Sequence, residues 1–431
     1  MGMTETVLFG SAPRLIVEAA EATGLLLPGC EATLVRDLQG RIKLYLLAPA
    51  GQKWPEGTKA QLSALLARFA PYGTSPVYLD TDEAPSRFPF ADVVKRDRVP
   101  FDTSGLTAAP AATWFRLERR FSKDSWLTET GRDREPWPSE SGPPVISFYG
   151  YKGGVGRTTA LAGFALFLAD EYGKNVIVVD LDLEAPGAGQ MLLGQAVPDL
   201  GVVDFLVEEQ VAREVPLALS RFLVGSPLPS GRGSVRVAPA GNLDRDYLEK
   251  LGRVDAQGLN GPTSSAAVLL KRLLERIRDE ERPDVILLDV RAGLHDLGGI
   301  SLSGLSHLEL IFAVHSEQTW AGLPVVLGHL GRLRASWVKL VHTFVPPASR
   351  GGDVLHEAFV SRAYEVMCTR YYLEGDVPDQ MDPDAAHFAY RLPMREALLA
   401  LSDLSRSRRE LLSDEHREFY LRLARETGLT P

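Results

Sequence analysis

Cysteine is almost missing from this sequence: Cys30 and Cys368 are the only two in 431 residues. They lie far apart with no partner at metal-ligand spacing, which excludes a disulfide framework and offers no zinc or iron–sulfur motif. Positive charge is not in excess either, because 47 Lys and Arg face 56 Asp and Glu for a net charge of -9. That balance argues against a chain that holds nucleic acid through its overall field, while leaving room for a local basic patch. Long hydrophobic runs are lacking. The most continuous one, Ala160 to Ala169, is about half the length needed to cross a bilayer, so no transmembrane helix is expected. The opening "MGMTET" has neither the basic nor the apolar segment of a secretory leader, and its fit to the loose acylation pattern M-G-x-x-x-S/T through Gly2 and Thr6 is read as coincidence. A reducing, cytoplasmic setting is the expectation. What is present is ordinary for a globular chain: 45% hydrophobic and 24% charged residues leave no reason to expect disorder. The length exceeds one compact core, so a domain of roughly 250 to 300 residues and a smaller one are expected.

Residues 1–105 read as a small α+β domain. "RLIVEAAEATGLLL" has helical character, "DLQG" is turn chemistry, and "RIKLYLLA" alternates Ile42, Leu44 and Leu46 as a half-buried strand does. Leu62, Leu65, Leu66 and Phe69 fall on one helix face. No catalytic constellation occurs there, and an accessory or partner-docking role is expected. Residues 106–143 are linker-like around one denser piece, "WFRLERRFSKDSW", a docking segment in which Trp114 and Trp126 serve as packing anchors. From 144 to 431 the pattern changes to short apolar runs between helices: "VISFY", "NVIVVD", "VRVAPA", "DVILLD", "LELIFAV" and "VKLVHTFV". Runs without polar alternation indicate strands covered on both faces, so the fold class is α/β with a mostly parallel sheet. Ligands of such sheets bind at the carboxyl ends of the strands.

At one of those ends stands "GYKGGVGRTT". The ordinary phosphate-loop pattern G-x-x-x-x-G-K-S/T wants Gly where Tyr151 stands and Lys where Arg157 stands. The essentials survive: a strand, then Gly153, Gly154, Val155 and Gly156, then Arg157, Thr158, Thr159 and an apolar helix. The glycines let backbone N–H groups curl inward and the helix N-terminus adds positive potential, so a polyphosphate is the expected guest. Arg157 replaces a point charge by a planar fork that still reaches the β- and γ-phosphates. The Thr158 hydroxyl is the expected Mg²⁺ ligand, and Thr159 serves an α-phosphate or caps the helix. Lys152 is poorly placed to fold back onto its own γ-phosphate and better placed to reach that of a neighbour.

The segment from Lys152 to Thr158 resembles the K-G-G-x-G-K-S/T loop of the MinD/ParA group of P-loop NTPases, the deviant Walker A ATPases. "VIVVDLDLEAPG" resembles that group's first switch, and "PDVILLDVRAG" its Walker B strand. The Arg-bearing loop with "DLDLEAPG" and "DVRAGL" is similar to a bacterial multidomain subset of MinD-like regulatory ATPases. The resemblance covers roughly residues 144 to 345. It implies ATP and Mg²⁺ as cofactors, a homodimer closed face to face by ATP, and Lys152 entering the other subunit's site. It implies Asp180 near the metal, Asp182 orienting the attacking water, Asp289 holding Mg²⁺ through water, and Gly293 near the γ-phosphate. Where the group usually places Asn near adenine, this sequence has Thr343.

The segment ending the sequence, "SRSRRELLSDEHREFYLRLARETGL", has an amphipathic pattern in which Leu411, Leu412, Phe419 and Leu423 recur. Acidic residues interleave with its arginines, so a helix packed on the ATPase domain is expected over a membrane anchor. Arg406, Arg408 and Arg409 are weak evidence for DNA. The functional expectation is a slow, partner-stimulated ATPase and dimerisation switch that regulates or positions a partner protein, which docks through residues 1–105. The alternatives are a nucleotide-gated scaffold with little turnover and an ATP-dependent DNA-partitioning protein.

Overall fold

The computed structural model describes residues 7–430 apart from 38, 74–75, 81–93, 97, 107–108, 119–134, 211–216, 256–265, 303, 334–336 and 399–403. The chain divides into two compact units, Met1–Phe121 and Ser122–Pro431.

In the first unit, helix α1 (Ala12–Glu21) starts with Pro in its first turn and buries Ile16, Val17 and Ala20. Strands β1 (Glu31–Arg36) and β2 (Ile42–Leu47) pair antiparallel. The turn between them is set by Asp37, whose carboxylate accepts the backbone N–H groups of Gln39 and Arg41 at 3.1 and 2.9 Å. Helix α2 (Thr58–Ala67) buries Leu62, Leu65 and Leu66. Phe69 follows the helix and packs against the same core. Three further strands, β3 (Val77–Leu79), β4 (Val99–Pro100) and β5 (Thr113–Glu118), complete a sheet of order β3-β2-β1-β5-β4. β2 is buried on both faces, because Tyr45 joins Val35, Val94 and Leu117 in a second small cluster.

β5 shifts the expected boundary. It runs parallel to β1, with Trp114 opposite Ala32, so the segment expected inside a linker from 106 is an internal strand of the first unit. A domain ending at 105 would strip β1 of one ladder of hydrogen bonds. Trp114 is the anchor expected: it is buried, and its indole N–H donates to Glu21 Oε1 at 2.6 Å. Trp126 lies outside the described residues.

The second unit holds all six expected strands: β6 (Val145–Gly150), β7 (Asn175–Leu181), β9 (Ser234–Ala238), β10 (Val285–Val290), β11 (Leu308–Ala313) and β12 (Trp337–Val345). Two short edges that no apolar run announces, β8 (Val224–Gly225) and β13 (Tyr390–Pro393), extend the sheet to the order β13-β12-β11-β6-β10-β7-β9-β8. Every pairing is parallel except that of β8 with β9. β6, β10 and β11 are buried at every position, as strands with helices on both faces must be. The helices are α3 (Arg157–Tyr172), α4 (Ala188–Leu193), α5 (Val202–Gln210), α6 (Arg245–Asp255), α7 (Ala266–Glu281), α8 (Asp296–Ser301), α9 (Glu317–Leu333), α10 (Gly352–Arg370), α11 (Leu404–Leu411) and α12 (Asp414–Glu426). This is an α/β fold with a mostly parallel sheet, following a small α+β unit in the sequence.

α3 is apolar all round because both its sides are covered. It lies on β6, β7 and β10, and α12 packs on it from outside. α12 buries His416, Phe419, Tyr420, Leu423 and Ala424, with the Tyr420 ring 6.1 and 5.7 Å from those of Phe164 and Phe167. Arg417 forks onto Glu171 with two bonds of 2.8 Å, and Arg408 pairs with Asp170. The amphipathic segment is thus two packed helices, α11 and α12, where one was expected, and one arginine of the basic cluster is engaged in holding it. Among the described residues no helix is long and apolar enough to cross a membrane.

The α3–α12 contact depends on Gly163, where a Cβ would stand 2.0 Å from the Tyr420 hydroxyl oxygen. That hydroxyl is buried and has no hydrogen-bond partner among the described residues. Gly163→Ala is expected to lower the unfolding midpoint by the equivalent of about 1–3 kcal/mol of overpacking. Tyr420→Phe, which removes an unsatisfied buried group, is expected to leave the midpoint unchanged or raise it. A thermal or denaturant melt of each variant checks both; a clear loss of stability in Tyr420→Phe would show that the hydroxyl has a partner.

Candidate phosphate-binding site

β6 stands in the middle of the sheet between β11 and β10, and β7 lies beyond β10. The loop that leaves β6 at Gly150 therefore emerges beside the carboxyl ends of β10 and β7. Register decides what meets it there: Asp289 of β10 pairs directly with Asp180 of β7, and both side chains are fully buried. Gly154 and Gly156 take φ values of +71° and +79°, backbone that a residue with a Cβ adopts only under strain. A Cβ on Gly153 or Gly154 would meet nothing within 4 Å, so the loop is open to solvent at these two positions. Val155 is buried beneath it.

Arg157 begins α3 and points inward. Its Nη2 donates to Asp182 Oδ2 at 2.8 Å and its Nε lies 3.6 Å from Asp289 Oδ1, with the side chain only 9% exposed. The Thr158 hydroxyl donates to Asp289 Oδ2 at 2.8 Å. Asp289 Oδ1 and Arg157 Nη1 are buried without a hydrogen-bond partner among the described residues. Burial raises the carboxyl pKa values of both Asp180 and Asp289. For Asp180 the charge of Asp289 adds to that rise, whereas for Asp289 the Arg157 guanidinium and the Thr158 hydroxyl oppose it. Two unsatisfied polar atoms, an open glycine cradle and a helix N-terminus fit a polyphosphate with a divalent cation.

Asp180, expected near the metal, stands beside Asp289. Its Oδ1 accepts the backbone N–H of Asp182 at 3.1 Å, and its Oδ2 accepts those of Gly187, Ala188 and Gly189 at 3.2, 3.1 and 3.3 Å. Four N–H groups occupy both oxygens, so this carboxylate fastens the loop after β7. Asp182 is brought to the site, with its carboxylate engaged by Arg157 and by the N–H of Ala185 at 3.3 Å. Thr159 sits half-buried in the first turn of α3. The Gly293 N–H bonds to Gly150 O at 3.1 Å, and Tyr149 donates its hydroxyl to Gly293 O at 3.0 Å, which clips the loop after β10 to the end of β6. Lys152 is exposed and makes no ion pair among the described residues.

Three features were not read from the sequence. Glu184, Arg291 and His295 meet where the loops after β7 and β10 converge: Arg291 pairs with Glu184, and His295 Nε2 lies 3.4 Å from the same carboxylate. Thr343 is buried within β12 and donates to Ala313 O at 3.3 Å. Its neighbour Phe344, with a φ of +56° at a bulge in the β12–β13 pairing, turns its ring toward Gly156. The Tyr151 ring lies against Gly322 of α9, filling the space a Cβ there would need. The quoted motifs contained Glu184 and Arg291, but only the topology shows that they face each other.

No protein-family model matches the chain. One curated relative, an uncharacterised protein of Borreliella burgdorferi, is 32% identical over 90 residues, which span 20% of this chain and 35% of that protein, so the chain covers about a third of that relative's length. Among solved structures, a ParA family ATPase from Chlorobium tepidum is similar with a TM-score of 0.42 and 18% identity, over 64% of this chain and 98% of that one. The septum site-determining protein MinD of Pyrococcus horikoshii, complexed with Mg-ADP, is similar with a TM-score of 0.44 and 16% identity, over 66% of this chain and 95% of that one. At that level of likeness the role of the site rests on this chain's own residues.

Proposed function

We propose that the chain is a Mg²⁺-dependent ATPase switch in which ATP closes two copies on each other and the closed pair regulates or positions a partner protein. The observation that carries this reading is the buried cluster of Arg157, Thr158, Asp182 and Asp289 beneath an open glycine loop. ATP, and not another nucleotide, is what the sequence resemblance implies. In this reading the loop N–H groups and the α3 N-terminus hold the phosphates, and Thr158 and Asp289 present the oxygens for the cation. When bound, Mg²⁺ neutralises charge on the transferring phosphoryl group. Arg157 leaves Asp182 for the phosphates, which frees the Asp182 carboxylate to accept a hydrogen bond from, and so orient, a water. Lys152, exposed and without an ion pair among the described residues, is available to a second copy.

A second reading, a nucleotide-gated scaffold with little turnover, is favoured by one contact. The Arg157–Asp182 pair is almost dry, and breaking it requires both charges to find new partners. Phosphate release by the wild-type chain separates the readings: a rate no higher than that of Asp182→Ala would make the scaffold correct.

Thr158→Ala is expected to lose Mg²⁺-dependent retention of ATP, because Asp289 then keeps no hydroxyl beside it for the cation. Calorimetric titration with and without Mg²⁺ measures this, and an undiminished Mg²⁺ effect would remove Thr158 from the site.

Asp182→Ala is expected to bind ATP about as well as the wild type while turnover falls by about a hundredfold or more. Lys152→Ala is expected to keep most ATP affinity and to lose ATP-dependent dimerisation and turnover. Mixed together, the two inactive variants should regain activity, since the subunit with an intact Asp182 receives its partner's intact Lys152. Mixed dimers that form and stay inactive would place Lys152 in its own subunit's site.

A further inference from the structure

We propose that the first unit carries a second, separate ligand site, one that takes a small organic monoanion: a flat apolar body bearing one carboxylate. The site is a cavity of about 280 Å³ between the N-terminal turn of α1 and the face of the sheet formed by β1 and β5, near the lower size limit of small-molecule sites.

Strand alternation explains its chemistry. In the parallel β1–β5 pair Leu34 stands opposite Arg116 and Arg36 opposite Glu118, and residues two apart share a face. Val35 and Leu117 point the other way into the small cluster with Tyr45. Two arginines and one glutamate are thereby set on the cavity face, and Arg14 of α1 closes it from above.

The charges inside do not cancel. Arg36 is 7% exposed, its Nη2 donates to Phe9 O at 3.0 Å, and its guanidinium lies 3.9 Å over the Phe9 ring. Its buried Nε has no hydrogen-bond partner among the described residues, Glu118 Oε2 being 3.7 Å away. Arg14 is held by Glu18 at 2.9 Å. Arg116 makes no ion pair or hydrogen bond among the described residues. The first turn of α1 contributes no acidic residue, so its dipole also favours an anion. Pairing Arg14 with Glu18 and Arg36 with Glu118 leaves one guanidinium, that of Arg116, in excess. One fork suits one carboxylate, and Glu118 disfavours a second negative charge. Phe9, whose ring is 53% exposed, and Phe101 supply aromatic faces for a flat body.

The test uses the full chain with 2-naphthoate as probe, 2-naphthamide as its neutral counterpart and inorganic phosphate as a bare anion, each titrated calorimetrically. Naphthoate is expected to bind, with naphthamide at least about tenfold weaker, and phosphate is expected not to displace it. Arg116→Leu and Phe9→Ala should each weaken naphthoate by about tenfold, and Arg116→Lys should fall between wild type and Arg116→Leu. Arg116 is exposed, so unchanged melting of its variants is expected. Equal binding of acid and amide, displacement by phosphate, or a naphthoate affinity untouched by Arg116→Leu would overturn the proposal. Absence of naphthoate binding at about 1 mM would do the same. The acid-to-amide comparison needs no variant and stands even if a substituted chain misfolds.

Discussion

Two carboxylates that meet in a nearly dry interior, those of Asp182 and Asp289, need a cation, and the second unit is arranged around the one that serves them, Arg157. The β7–β10 register fixes Asp180 against Asp289, and the Arg157 guanidinium reaches toward Asp289 while bonding to Asp182. A lysine ammonium is a single point charge and does not span two carboxylates in this way, whereas the planar fork presents Nη2 to one and Nε to the other. The departure from the usual loop spelling at position 157 thus has a structural counterpart. The same contacts set Thr158 against Asp289 and bring Gly187 up to the Thr158 methyl, to which a Cβ on that glycine would come within 3.4 Å.

This arrangement joins the glycine loop after β6 to the loops after β7 and β10. Asp180 gathers four N–H groups, so the segment from Asp182 to Gly189 is tied to β7 at one point. The Gly293 clip ties the loop after β10 to β6, and Arg291 with Glu184 joins the two loops across the mouth. Exchange of Arg157 from Asp182 to phosphate would free one carboxylate in the first of these loops without disturbing the Asp180 anchor. That is the minimum a switch needs: one contact that changes partners on a frame that does not.

Much of this frame is legible in the sequence because it depends on local pattern. Six apolar runs became six parallel strands, and three glycines between a strand and a helix became an open loop. What was not legible depends on partners distant along the chain. β5 belongs to the first unit because it pairs with β1, some eighty residues earlier in the chain, and no local signal in "TWFRLE" reveals that partner. β8 and β13 are too short to show periodicity. The resemblance implies Asp180 near the metal; that its oxygens accept four backbone N–H groups follows from the path of the next nine residues. At the end of β12 the sequence directed attention to Thr343, but the bulge there buries Thr343 and presents Phe344 to the loop.

In the proposed switch nucleotide, not concentration, brings two copies together through an exposed lysine. The most direct measurement is the mass of the wild-type chain in solution by analytical ultracentrifugation, with Mg²⁺ and no nucleotide, ADP, or a slowly hydrolysed ATP analogue. A nucleotide-closed pair gives the mass of one 47.1 kDa chain in the first two conditions and of two chains only with the ATP analogue. The same mass in all three would contradict it.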